Sequence, residues 1–514
     1  MSTRSRYSIQ FCSDSSRIQP MDTALKFGLL LLLLGFVNAS TKNDFRQCER
    51  TVKNWALSSL DQEVKEDKHT LQDLLFFLHV PRTGGRTYFH CLLKKLYYNS
   101  LECPRSYDKL RFDPSKTKCR LLATHDDYSM ISKLPKVKTS VVTVLRNPID
   151  RVFSTYEFSV EVAARFLVHP NLTSATQMAA RLRSNSSGVS TLDIWPWKYL
   201  VPWMREDLFT RRDVRKQKAT VEVNGNDSYN MEDFVMPLQD FINNPTSQDI
   251  VHNGATFQVV GLTNNSYLAE AHEVRHCVLK FKTLGDFVLQ VAKKRLDEML
   301  YVGLTENHRE SANIFGNVVG AQVISQMVAS KSSIKGNNKS EHSSSISDPE
   351  PDNNYHQNST SDQRSVEITE KVKTIKDNMT VGKLMQDYEA CISSLRSSQA
   401  TRRINSLKRI SPVNFSKEAR LQVPEEVLQQ IRSLNSLDLE LYKYALDIFE
   451  KQKQKLPSTD KVGSYGLDGK LESMFNHSHG ITFWLGLLLC TSIFLLIFFF
   501  LFVNARRTTS KVKI

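Results

Sequence analysis

Phe77-Leu78-His79-Val80-Pro81-Arg82-Thr83-Gly84-Gly85-Arg86-Thr87-Tyr88-Phe89 is the stretch on which the fold turns. The apolar run from Leu74 to Val80 reads as a buried strand that Pro81 breaks. Gly84 and Gly85 let the backbone curl, and a helix begins near Thr87. The first amides of a helix have no intrahelical partner and favour an anion. Thr83 and Thr87 add hydroxyl donors, and Arg82 and Arg86 add positive charge. Residues Pro81 to Thr87 therefore read as a phosphate cradle. It is no Walker A loop: Arg86 stands where Lys is needed, and Val80 where the leading Gly belongs.

A second unit of the same kind lies downstream. Val141 to Leu145 is a β-branched strand, followed by Arg146-Asn147-Pro148-Ile149-Asp150-Arg151-Val152-Phe153-Ser154. Arg146 at the strand end and Ser154 two turns into the next helix suit a second phosphate, with Arg as a forked donor. No acidic residue ends this strand to hold Mg²⁺, which disfavours ATP hydrolysis or kinase chemistry. Helical patterns over residues 87–98 and 149–167 follow the two strands, so strand, turn and helix repeat. The fold class expected is α/β with a parallel sheet.

The rest of the chain sets the compartment. Its 514 residues are 40% hydrophobic and 24% charged, which excludes a wholly disordered or polytopic membrane protein. Phe27 to Val37 is a short apolar run behind basic residues, the layout of a signal peptide over residues 1–39, with Met21 an alternative start and an uncleaved anchor the other reading. Residues 481–503 carry no charge and are long enough to span a bilayer. The tail at 504–514 has four basic residues and is placed in the cytoplasm. A type I single-pass protein with a lumenal body is expected. Nine N-x-[ST] sequons and six cysteines between signal and span (Cys48, Cys91, Cys103, Cys119, Cys277, Cys391) suit an oxidising lumen, with the pairing open. With the +2 of residues 1–39 and the +4 of the tail set aside, +8 of the net +14 remains for the lumenal part, which suits acidic ligands as well as plain solubility. The lumenal chain divides into an N-terminal segment (40–72), a core (73–320), a Ser/Asn-rich insertion expected to be disordered (321–378), a helical part (379–455) and a stem (456–480). Residues 425–449 read as one amphipathic helix whose face carries Ile431, Leu434, Leu437, Leu441, Ala445 and Ile448.

P-R-T-G-G-x-T followed by R-N-P-x-x-R-x-x-S resembles the two donor-binding segments of Golgi sulfotransferases, nearest to the heparan-sulfate 6-O-sulfotransferases. Thr124-His125-Asp126-Asp127-Tyr128 resembles that family's histidine segment, and Val302 to Glu306 and Leu437 to Ala445 resemble two more of its segments. The C-terminal span, the Arg82 of the loop and the aromatic segment Trp195 to Met204 are similar to plant-type tyrosylprotein sulfotransferases. The resemblance implies a P-loop-like sulfotransferase fold. It implies 3′-phosphoadenylyl sulfate (PAPS) as co-substrate, bound by Pro81, Arg82, Thr83, Gly84, Gly85, Arg86, Thr87, Arg146 and Ser154, with no metal. The acceptors implied are secreted peptide-hormone precursors and proteins with Asp-flanked tyrosines, met in the Golgi. No nucleic-acid partner is expected, and the oligomeric state stays open.

A tyrosine hydroxyl, with a pKa near 10, needs a base. His125 is the expected one, with Asp126 or Asp127 orienting it or replacing it; Arg82 is expected to stabilise the leaving oxygen's charge without donating a proton. His79 and His90 read as structural. Arg205, Arg211, Arg212 and Arg215 form a candidate acceptor patch or a solvated helix face. Glycan sulfation and a non-enzymatic glycosylated receptor remain as alternative readings.

Overall fold

The computed structural model describes residues 43–61, 68–97, 101–104, 119–135, 138–185, 194–217, 235–337, 379–410 and 415–456. The expected signal peptide, stem, span and tail, and positions 338–378 of the insertion, lie outside the described residues. No helix among the described residues is long and apolar enough to cross a membrane.

Four parallel strands form one sheet in the order β2-β1-β3-β4: β1 Leu74–Leu78, β2 Leu121–Thr124, β3 Thr139–Leu145 and β4 Tyr301–Leu304. Every residue of every strand is buried, as in a sheet covered by helices on both faces. The register pairs Phe76 with Leu122 on one side and with Val141 on the other. Strands β1 and β3 match the runs read from the sequence. β2 and β4, four residues each, were seen only as motif segments.

The helices that bear on the site are numbered in chain order. Helix α1 covers residues 43–60. Helix α2 starts as Gly85–Tyr88, widens into a π turn over Phe89–Leu93 and closes as Lys94–Leu96. Helix α3 is Pro148–Ala164, capped by Asn147, whose Oδ1 accepts from the amides of Ile149 and Asp150. Helices α4 (Trp197–Gln217), α5 (Gly254–Val259) and α6 (Ala271–Lys280) follow. Helices α7 (Val381–Leu407), α8 (Glu425–Leu434) and α9 (Ser436–Gln454) close the body.

Two expectations are corrected. The insertion does not begin at 321, because Ala321–Asn337 is helical and buries Val323; apolar Val323, Ile324 and Met327 still give that stretch a packing face. The single helix at 425–449 is two. It breaks at Asn435, buried and non-helical, whose Nδ2 donates to the Ile431 carbonyl. Of the expected apolar face, Ile431, Leu441 and Ala445 are buried, joined by Phe449.

The C-terminal helices are joined to the sheet region by polar and covalent ties. Asp438 of α9, fully buried, accepts from Arg151 Nη2 of α3 at 2.7 Å and from the amide and hydroxyl of Thr256 in α5 at 2.7 and 2.6 Å. A buried charge held by this many donors is costly to break by removing one partner. Three disulfides add links: Cys48–Cys277 joins α1 to α6, Cys91–Cys391 joins α2 to α7, and Cys103–Cys119 closes a short loop before β2.

Candidate active site

All four strands point their carboxyl ends the same way, so the segments after them share one edge of the sheet. The chain leaves β1 toward β2 on one side, and reaches β4 on the other side through β3. The crevice at that switch point, between the ends of β1 and β3, is where open parallel sheets bind ligands. The Pro81–Thr87 loop and Arg146 lie on its two lips.

The loop is shaped by its own residues. Arg82 and Gly84 both adopt left-handed backbone, with φ of 67° and 78°. Such a conformation is ordinary for Gly84 and strained for Arg82. Thr83 is buried and its hydroxyl donates to the Val80 carbonyl, while Thr305, at the end of β4, donates to the Thr83 carbonyl at 2.7 Å. Gly84 caps α2 without any side-chain bond, so the helix opens on backbone amides, as an anion cradle requires. Thr305 belongs to a segment whose resemblance was noted, yet it was absent from the expected site. Its part as a clamp becomes visible only when β4 pairs with β3.

The two expected donor segments meet through side chains. Arg82 Nε donates to Ser154 Oγ at 3.0 Å, and the guanidinium lies 4.4 Å over the ring of Phe158, one turn further along α3. Arg146 Nη1 donates to the Arg82 carbonyl. Burial, then the charge of Arg146, lowers the pKa of Arg82 to about 10, so it remains cationic near neutrality. Burial also lowers that of Arg146. Thr87 and Arg86 sit in the first turn of α2, with Arg86 exposed and Pro81 and Gly85 buried.

His125 follows β2 directly and is buried. Its Nδ1 lies 2.8 Å from the His79 carbonyl oxygen, which can only accept. The proton is therefore assigned to Nδ1, and Nε2 carries the lone pair. The His79 and His125 rings stack at 4.0 Å, and the His79 ring also stacks with Phe77 at 5.4 Å. Burial, opposed by the His79 carbonyl and aided by the Arg82 charge, lowers the His125 pKa to about 4. The His79 pKa is pushed well below its ordinary value by burial and by His125. His79, read as structural from the sequence, packs directly on His125.

The neighbouring carboxylates are committed elsewhere. Asp126 accepts from Thr124 Oγ1 and from Asn265 Nδ2. Asp127 caps the turn Tyr128–Lys133 through the Ser129 amide and hydroxyl, and accepts from the amide and hydroxyl of Thr263. Burial raises the Asp127 pKa against those bonds. Both carboxylates hold the His125 loop to the 261–267 turn. Gln258 of α5 does the same through the backbone, donating from Nε2 to the His125 carbonyl at 2.9 Å.

The basic acceptor patch on α4 does not survive. Arg205 is buried with its guanidinium 4.5 Å over Phe166. Arg211 pairs with Asp207 at 2.7 Å, and Arg212 donates to the His169 carbonyl at 2.9 Å. The Arg215 side chain lies outside the described residues. Arg205 and Arg212 tie α4 to the segment after α3, and the Arg211 pair lies within α4. His90 sits in the π turn of α2, edge-on to Phe89.

No protein-family profile matches the chain. Over 504 residues it is 58% identical to a protein-tyrosine sulfotransferase of Arabidopsis thaliana, covering 96% of this chain and 100% of that protein.

Proposed function

The chain belongs to the protein-tyrosine sulfotransferase family, and from that premise we propose how its residues transfer sulfate to tyrosine. The donor is PAPS. The amides at the start of α2 and the Thr83–Thr87 loop hold its 5′-phosphosulfate, and Arg146 and Ser154 hold its 3′-phosphate. The observation carrying this reading is the convergence of Arg82, Arg146, Ser154 and His125 from three strand ends on one crevice.

His125 is the general base. Its Nε2 lone pair takes the phenolic proton as the tyrosine oxygen forms its bond to sulfur. The bond from sulfur to the 5′-phosphate oxygen breaks, and adenosine 3′,5′-bisphosphate leaves with the electron pair. A depressed pKa keeps the imidazole neutral at lumenal pH, and the donation from Nδ1 to His79 fixes the tautomer that exposes the basic nitrogen. Asp126 and Asp127 already accept several hydrogen bonds each and serve as positioning groups. Arg82 and the loop amides stabilise the charge that grows on the leaving oxygen. Ser154 and Phe158 hold the Arg82 side chain across the crevice floor between the two anion sites.

The same reading places the enzyme in the Golgi as a type I single-pass protein, through the segments at 1–39 and 481–503. Three disulfides among the described residues support an oxidising compartment. Labelled PAPS incubated with the ectodomain and either an Asp-Tyr peptide or heparan-like chains tests the assignment. Label should enter the peptide on the phenolic oxygen; label in the glycan alone refutes it.

A further inference from the structure

Helix α3 leads away from the crevice toward a second basic region. Ser154 and Phe158 hold Arg82; Glu161 and Arg165 continue the same face at steps of three and four residues, and Arg165 pairs with Glu161. Eleven residues separate Ser154 from Arg165, about 16 Å along a helix at 1.5 Å per residue. There an open hollow of about 380 Å³ is lined by Arg165, Ser398, Thr401, Arg402, Asn405 and Ser406, the last five from the final turns of α7. Arg402 is exposed and has no carboxylate partner among the described residues. Arg86, in the first turn of α2, lies close enough to this region that Arg402 and Arg165 add to desolvation in lowering its pKa. Three arginines thus face one carboxylate, Glu161.

We propose that the Arg165–Arg402 hollow is an acceptor subsite that takes a carboxylate side chain of the substrate polypeptide near the tyrosine being sulfated. This deepens the reading above and rests on it. Both anionic groups of the donor are already provided for, one at the α2 amides and one at Arg146 and Ser154. The Ser154 site lies about 16 Å back along α3 from Arg165, and the hollow meets the donor loop only at Arg86. The anion that suits this hollow is therefore assigned to the acceptor. The hollow is open, as a passing chain requires, and its hydroxyls and amide can accept or donate to a peptide backbone. An extended peptide advances about 3.3 Å per residue, so a carboxylate beside the tyrosine stays near the loop mouth, where Arg86 borders the hollow.

The test uses the full-length protein and two peptides alike except for Asp or Asn beside the tyrosine. Arg402→Glu should raise the KM of the Asp peptide roughly tenfold, as loss of a charge-assisted contact does. The Asn peptide should change far less and the KM for PAPS should hold. Arg402→Lys should restore most of the preference. The Asp peptide's advantage should also shrink with salt. An equal rise for both peptides, or a rise confined to the KM for PAPS, overturns the subsite. Anisotropy of the same two peptides, fluorescein-labelled, with adenosine 3′,5′-bisphosphate present, separates this from the chemistry. If no sulfate reaches either peptide but Arg402 still governs the Asp–Asn contrast in binding, the transfer reading fails and the subsite stands. If the binding contrast is unchanged in Arg402→Glu, the subsite fails.

Discussion

Gly85→Ala tests how tightly the phosphate loop is coupled to the proposed base. A Cβ at Gly85 would lie 2.8 Å from Cγ of His79 and nearer still to Cδ2 and Nε2. The atom it meets is a ring, held between Phe77 and His125, so it has no flexible end to swing aside. Overpacking of this kind costs about 1–3 kcal/mol. Displacing the ring disturbs its stack on His125, and a 1 Å misplacement of a reacting group costs on the order of 100-fold in rate. Gly85→Ala should therefore lower Tm by several degrees and kcat by at least about tenfold. Two other glycines supply the scale. Gly84→Ala meets nothing closer than Thr305 Cγ2 at 3.7 Å but must hold φ near 78°. Its cost is left-handed strain, about 1–2 kcal/mol, with the His79 ring left in place. Gly382→Ala, in the first turn of α7, meets nothing within 4 Å and should be neutral or slightly stabilising. Thermal unfolding and steady-state transfer to an Asp-Tyr peptide read all three. Gly85→Ala indistinguishable from Gly382→Ala in both measurements would refute the coupling of loop, His79 and His125.

Four further outcomes rest on the same geometry. His125→Ala should lower kcat by roughly 10²–10⁴, with the KM for PAPS nearly unchanged; turnover near wild type moves the base elsewhere. Because only neutral His125 can accept a proton and its pKa is depressed to about 4, kcat/KM should be level from pH 8 to about 5 and fall below that; a break near 6.5 would mean a solvated imidazole. The unfolded chain protonates His125 near the ordinary imidazole value of 6.5 and the folded chain only near 4, so the unfolded state binds more protons between them and stability should fall as pH drops through that window. His79 contributes with the same sign, and urea midpoints across pH 4–7 read the sum. Arg82→Lys should lower turnover, since Lys cannot both stack on Phe158 and donate from Nε to Ser154; a sharp rise would show that proton donation from this position limits the reaction.

The sequence was most legible where burial is continuous. β1 is five apolar residues and β3 seven that are apolar or β-branched except Ser140, and each is followed by Pro and by a capped or glycine-opened helix. β2 and β4 are four residues each, and one includes Gly303, so neither pattern exceeds the noise of a short run. The order β2-β1-β3-β4 depends on pairing across 46 (Leu75 with Leu121) to 159 residues (Val142 with Tyr301), which no local pattern encodes. The loop residues could be named in advance because their chemistry is local. The Arg82–Ser154 bond, the Thr305 clamp and the His79–His125 stack could not, because each joins segments distant in the chain. The α4 arginines misled for the converse reason. Clustered charge reads as a patch until the structure shows that Phe166, Asp207 and the His169 carbonyl already occupy those side chains.

The segment after the insertion is therefore part of the site rather than a lid placed over it. Glu157 of α3, buried one turn beyond Phe153, accepts from Arg403 of α7 at 3.0 Å and from Arg420 at 2.7 and 2.8 Å. Without those two arginines it would be an unpaired buried carboxylate on the helix that carries Ser154 and Phe158, an arrangement that costs several kcal/mol. Arg403 adjoins Arg402 in sequence, so the residue that neutralises the helix under the loop and the residue assigned to the acceptor lie side by side on α7. Cys91–Cys391 then fixes α7 to α2, the helix whose first turn forms the anion cradle. Donor loop, α3 and α7 are held to one another by a covalent bond and a buried charge cluster. The spacing between the group being transferred and the chain receiving it is thereby set by the fold, and not by the acceptor alone.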